Sequence, residues 1–65
     1  MSDVETGWLI EDRVASTRVW WAGGVSWTTD SLTAVRFARR EDAERVMRRT
    51  ATFAGAKATE HAWGP

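Results

Sequence analysis

Cysteine is absent from this 65-residue chain, and proline and histidine occur once each. Without cysteine there is no disulfide framework, no thiolate zinc site and no thiol nucleophile. One imidazole, His61, cannot assemble a metal site unaided, and it is the only side chain whose ordinary titration falls near neutral pH. No apolar run approaches the roughly 20 residues that cross a bilayer. Residues 1–6 are polar and acidic and lack the apolar core of a secretory signal. The chain therefore reads as a cytoplasmic protein with no membrane partner.

An excess of either charge is also missing: nine Lys and Arg balance nine Asp and Glu, for a formal net charge of zero. A dedicated duplex-DNA binder usually carries a strong basic excess, so that class is disfavoured. No Gly-rich loop leads from a strand into a helix to cradle phosphate, and Ser16, Ser26 and Ser31 lack a nucleophile-elbow context. The carboxylate pairs Glu11-Asp12 and Glu41-Asp42 are sequence neighbours, which diverge on a strand or a helix and do not face one another across a substrate. No enzyme and no cofactor are expected. His61 reads as a partly exposed strand residue.

What the chain does hold is aromatic mass, five tryptophans and two phenylalanines. Its length is near the lower bound for folding without a staple, so most rings are needed in a core and a homodimer is an expectation. Residues 1–6 carry no period and are expected to form a flexible end. Residues 7–63 are expected to form a single α+β domain.

Within that domain, residues 7–14 predict a strand with Trp8 and Ile10 on one face and Leu9 on the other. Residues 15–17 form a short connection, and Arg18-Val19-Trp20-Trp21-Ala22 predicts a second strand. Gly23-Gly24 can supply the positive φ of a two-residue hairpin loop. With these two glycines at its centre, Ala22 faces Val25, Trp20 faces Trp27 and Arg18 faces Thr29. Trp20, Val25 and Trp27 then face the core, while Trp21 shares the opposite side with Val19 and Thr28. Thr28-Thr29-Asp30-Ser31 predicts a turn, and Val35 and Phe37 alternate about Arg36 as in a brief strand.

The main helix is expected over residues 40–54, on an apolar stripe of Ala43, Val46, Met47, Thr50, Phe53 and Ala54. Glu41 and Asp42 open it in the sense the helix dipole favours, and Gly55 offers a stop. Neither Ala38 nor Arg39 makes a good N-cap. A break before Arg40 is preferred to one helix running from Ser31, because the apolar spacing falters at Ala38-Arg39-Arg40. Residues 58–63 predict a last strand. The expected fold is a small antiparallel sheet of three N-terminal strands, a short strand and a C-terminal strand, with the helix packed on one face.

The ordered residues Trp20-Trp21-x-Gly23, Trp27-Thr28-x-Asp30, Ala34-x-x-Phe37 and Asp42-Ala43-x-x-Val46 resemble a pattern in short uncharacterised proteins of bacteriophages and prophages. The resemblance covers residues 18–46 and implies an accessory protein acting on a host protein. It implies no catalytic residue.

The candidate binding residues are Trp21, Arg18, Arg36, Arg45, Arg48 and Arg49. An exposed tryptophan beside arginines has the composition of a protein-binding hot spot, and Arg45, Arg48 and Arg49 suit an acidic groove. A protein-binding module is the leading expectation, its partner a host protein or a second copy. The alternative is a single-stranded nucleic-acid binder, with Trp20, Trp21 and Trp27 stacking on bases and Arg18 and Arg36 on phosphates. A purely structural homo-oligomer comes third.

Overall fold

The computed structural model describes residues 5–49, 53 and 55–63. Four strands and one helix follow in the order β1 (Glu5–Val14), β2 (Thr17–Gly23), β3 (Ser26–Thr28), α1 (Arg40–Met47) and β4 (Lys57–Trp63). The strands form one antiparallel sheet in the order β3-β2-β1-β4. No helix among the described residues is long and apolar enough to cross a membrane.

Strand β1 is the spine. It pairs with β4 over seven positions, from Glu5 opposite Trp63 to Glu11 opposite Lys57. On its other side it pairs with β2 only from Glu11 to Val14. Beyond that point β1 and β2 splay apart, and residues 35–37 fill the wedge: Trp8 and Phe37 exchange backbone hydrogen bonds of 2.8 and 2.9 Å, and Val35 donates to the Trp21 carbonyl at 2.9 Å. The brief strand expected about Arg36 is thus a single bridge at Phe37. Strand β1 begins at Glu5, two residues ahead of the expected boundary, because Glu5 and Thr6 pair with Trp63 and Ala62. The rest of the expected flexible end, residues 1–4, lies outside the described residues.

Residues directly opposite in adjacent strands share a face. Trp8, Ile10 and Asp12 therefore lie with Val19 and Trp21 of β2, Trp27 of β3 and Ala58 of β4. Helix α1 packs on this face against β1 and β4. The core centres on Ile10, Ala43 and Phe53, with Trp8, Trp21, Trp27, Phe37, Val46, Met47, Ala56 and Ala58 around it.

The second hairpin departs from the expected register. Its two loop residues are Gly24 and Val25, Gly23 lies opposite Ser26, and Trp21 rather than Trp20 faces Trp27. A bulge between Trp21 and Gly23 inserts the extra residue, with Gly23 at φ 103° and Gly24 at φ 57°. A one-residue slip moves every side chain to the opposite face. Trp21 accordingly points to the helix side, Trp20 points away from it, and Val25 is a 91 % exposed loop residue instead of a core one.

The turn after β3 is built from its own hydroxyls and carboxylate, as its composition indicated. Thr28 Oγ1 accepts from the Asp30 N–H at 3.0 Å, Asp30 Oδ1 from the Leu32 N–H at 2.9 Å, and the Asp30 carbonyl from Thr33 N–H at 3.0 Å. Helix α1 then starts at Arg40, after the anticipated break. Arg39 is the N-cap and makes no side-chain capping bond. Its guanidinium is held instead by Asp42, with Nε and Nη2 each 3.3 Å from a carboxylate oxygen, and this bond raises the Arg39 pKa above its ordinary value.

The helix is shorter than expected, closing at Met47 with Arg48 as C-cap. The Arg49 N–H turns back to the Val46 carbonyl at 3.1 Å, tightening the last turn. Residues 50–52 and 54 lie outside the described set. Phe53 reaches the core, 5 % exposed, between Trp21 and Trp27 at ring distances of 5.5 and 5.9 Å.

Two stabilising substitutions follow. The first hairpin turns on Ala15 at φ 51° and Ser16 at φ 71°, a conformation costing a residue with a Cβ roughly 1–2 kcal/mol. Replacing them with Asn-Gly should stabilise by about 1–2 kcal/mol and raise Tm by about 4–8 °C per kcal/mol in a thermal melt. Arg39→Ser supplies the missing cap at the cost of one exposed ion pair and should raise the urea midpoint.

Candidate functional site

The other face of the sheet carries Gly7, Leu9, Glu11 and Arg13 from β1, Arg18 and Trp20 from β2, Thr28 from β3, and Lys57, Thr59, His61 and Trp63 from β4. Among the described residues no helix packs on it. Leu9 is nevertheless 0 % exposed and Trp20 only 9 %. Aromatic rings supply the cover. Strands β2 and β4 flank β1 and lie about 9–10 Å apart, yet the Trp20 and His61 rings meet edge-on at 5.9 Å, so both lean inward over Leu9. His61 in turn lies 4.8 Å from Trp63.

Arg36 completes the row. Its neighbour Phe37, bridged to Trp8, faces the helix side, so Arg36 falls on the open face, and its guanidinium lies 4.0 Å above the Trp63 ring. Nη1 is 3.1 Å from Glu5 Oε2. Gly7 makes this stack possible. A Cβ at Gly7 would stand 2.7 Å from Arg36 Cγ, closer than carbon atoms approach, and in a tight 3.3 Å contact with the Trp63 ring. Glycine here removes the one group that would hold the arginine stem and the indole off the strand.

At the other end of the face Glu11 is 9 % exposed, accepts from Thr59 Oγ1 at 3.4 Å and lies 3.6 Å from Arg18 Nε. Arg13 and Arg18 lie opposite one another, and Lys57 stands opposite Glu11. Arg13, Arg18, Arg36 and Lys57 against Glu5 and Glu11 leave this face at +2 on a chain of zero formal charge. Among the described residues the buried indole N–H groups of Trp20 and Trp63 meet no acceptor. Such a donor costs about 1–3 kcal/mol until it is paired.

The sequence-derived candidates do not form one cluster. Arg18 and Arg36 share the open face, at opposite ends of the aromatic row. Trp21 lies on the other side, its ring stacked at 6.3 Å on Phe37 and its N–H donating to the Gly24 carbonyl at 3.1 Å. Arg45, Arg48 and Arg49 are exposed on and just beyond α1, where Arg45 lies 3.9 Å from Asp42. Trp63, His61 and Gly7 were not among the candidates. The period-two alternation of residues 57–63 carried the signal for the first two, but it needed β4 to be placed beside β1.

Among the described residues no three His, Cys, Asp or Glu side chains are grouped as a metal site would require. A shallow cleft of about 230 Å³ at the foot of the sheet is lined by Glu11, Asp12, Arg13, Gly55 and Lys57. It is smaller than the pockets that enclose drug-sized ligands. The chain matches no known protein family, no curated protein and no solved structure.

The Gly7 and Arg36 contact makes a separable claim. Gly7→Ala should cost about 1 kcal/mol or more through the overlap with Arg36. In an Arg36→Ala background the cost of the same change should fall, because the main overlap is gone and the Trp63 ring is free to give the few tenths of an ångström it lacks. Urea denaturation of the four proteins in the cycle checks the coupling.

Proposed function

We propose that this chain is a small non-catalytic binding module, and that its working surface is the helix-free face of the sheet, presented to an acidic patch of a protein partner. The row Trp20, His61, Trp63 and Arg36 carries this reading. Tryptophan and arginine are the residues most enriched where binding energy concentrates. Their geometry is already set by the Gly7 gap, the Glu5 ion pair and the ring contacts, so little rotamer entropy remains to be lost on binding. The +2 balance of the face favours an acidic partner and speeds encounter with it. The phage resemblance makes a host protein the favoured partner.

A second reading rests on the same cations interleaved with rings, which also suit single-stranded nucleic acid. The two separate cleanly. Affinity capture from host lysate should lose its partner, with binding weakened by about 30-fold or more, on Arg36→Glu, as for a hot-spot residue. Arg48→Glu, on the helix side, should leave capture unchanged. The reverse pattern would move the working surface to the helix. Titration with an unstructured oligonucleotide should leave tryptophan emission nearly constant. Strong quenching that salt abolishes would favour the nucleic-acid reading.

A further inference from the structure

The two edges of the sheet differ. Strand β3 is a three-residue edge beside a bulge, a form that discourages further pairing. Strand β4 is a seven-residue edge whose register with β1 runs unbroken from Lys57 to Trp63, with no proline within it. Among the described residues no loop backbone hydrogen bond reaches β4. Its outer side therefore presents a regular row of alternating N–H and C=O groups, a template for another strand.

From this edge we infer that the protein forms a symmetric dimer in which β4 pairs antiparallel with β4 of a second copy, joining two four-stranded sheets into one of eight. Three features fit a second copy as the occupant. A two-fold axis normal to the sheet keeps both helices on one side. Helix α1 packs on both β1 and β4, so with strands about 4.8 Å apart its axis lies about 4.8 Å from the dyad, and the two helices come about 9.6 Å apart, within the 8–10 Å of packed helices. The helices are also antiparallel about that axis. Each holds Arg39 and Arg40 against Glu41, Asp42 and Glu44 at its start and carries Arg45, Arg48 and Arg49 at its end, so the weakly acidic start of one lies beside the basic end of the other.

Charge removes one register. A dyad at Glu60 would set two carboxylates directly opposite, which destabilises a strand pair. A dyad at Thr59 pairs Thr59 with itself, Lys57 with His61 and Ala58 with Glu60, and sets no like-charged carboxylates or fixed cations face to face. Two copies so joined also place their aromatic rows on one continuous surface, whichever partner that surface takes.

The chain's lack of cysteine makes the test clean. Thr59→Cys should form an intermolecular disulfide in native buffer, since opposed Cα atoms in an antiparallel pair stand about 4.5–5.5 Å apart, within disulfide reach. The cross-link should not form at a comparable rate in denaturant. Analytical ultracentrifugation of the unmodified chain should give twice the monomer mass. Thr59→Lys, which opposes two cations on the dyad, should weaken association by about tenfold or more while far-UV circular dichroism stays native. A monomer mass at every concentration would overturn the proposal. So would a dimer that Thr59→Lys leaves intact and Thr59→Cys does not cross-link.

Discussion

Leu9 and Ile10 are adjacent in one strand, point to opposite faces and are both 0 % exposed. That pair sets the problem the rest of the structure solves: a sheet buried at its centre on both sides, in a chain with a single described helix. The helix and the Phe53 turn close the Ile10 side. Among the described residues the Leu9 side is closed by side chains, the rings of Trp20 and His61 leaning over β1 from the strands on either side. Small domains bury too little surface to leave such a residue open, and the chain meets the need with its heaviest side chains.

Closing a face with rings instead of a second layer has a consequence for recognition. A helix laid over Leu9 would have hidden the sheet, whereas rings cover the leucine and leave His61 and Trp63 part-exposed. Arg36 is drawn into the same arrangement because residues 35–37 are needed elsewhere, as the wedge between the splayed halves of β1 and β2. Phe37 must face the core to pack on Trp21, and period two sends its neighbour Arg36 to the opposite side. The guanidinium then comes to rest over Trp63, where Gly7 leaves room. One packing requirement thus positions both the cover of the core and the cation beside it.

Much of the architecture was legible in local pattern. The α+β class, the break before Arg40, the uncapped helix start and the Thr- and Asp-built turn each depend on residues within a few positions of one another. The opposed faces of Trp8 and Leu9 followed from alternation alone. The helix end was not legible, because the apolar stripe continues past Met47 in sequence while Phe53 is drawn down between Trp21 and Trp27. Nor were the faces of Trp20 and Trp21. Gly23-Gly24 marks a hairpin, but two glycines in a row allow the loop to centre on either, and the bulge that decides the matter adds a residue that no local pattern counts.

What the amino-acid order determined unaided is therefore the inventory: which segments are strands or helix, where the turns fall, and that no thiol chemistry is available. Tertiary structure decided which rings lie on which side and which residues meet there. Secondary structure answers to short-range sterics and periodicity, which are written along the chain. A binding face depends on strand order and on register to the single residue. Gly7 comes beside Trp63 and Arg36 only because β4 returns to the free side of β1 and residues 35–37 are wedged into the gap on the other.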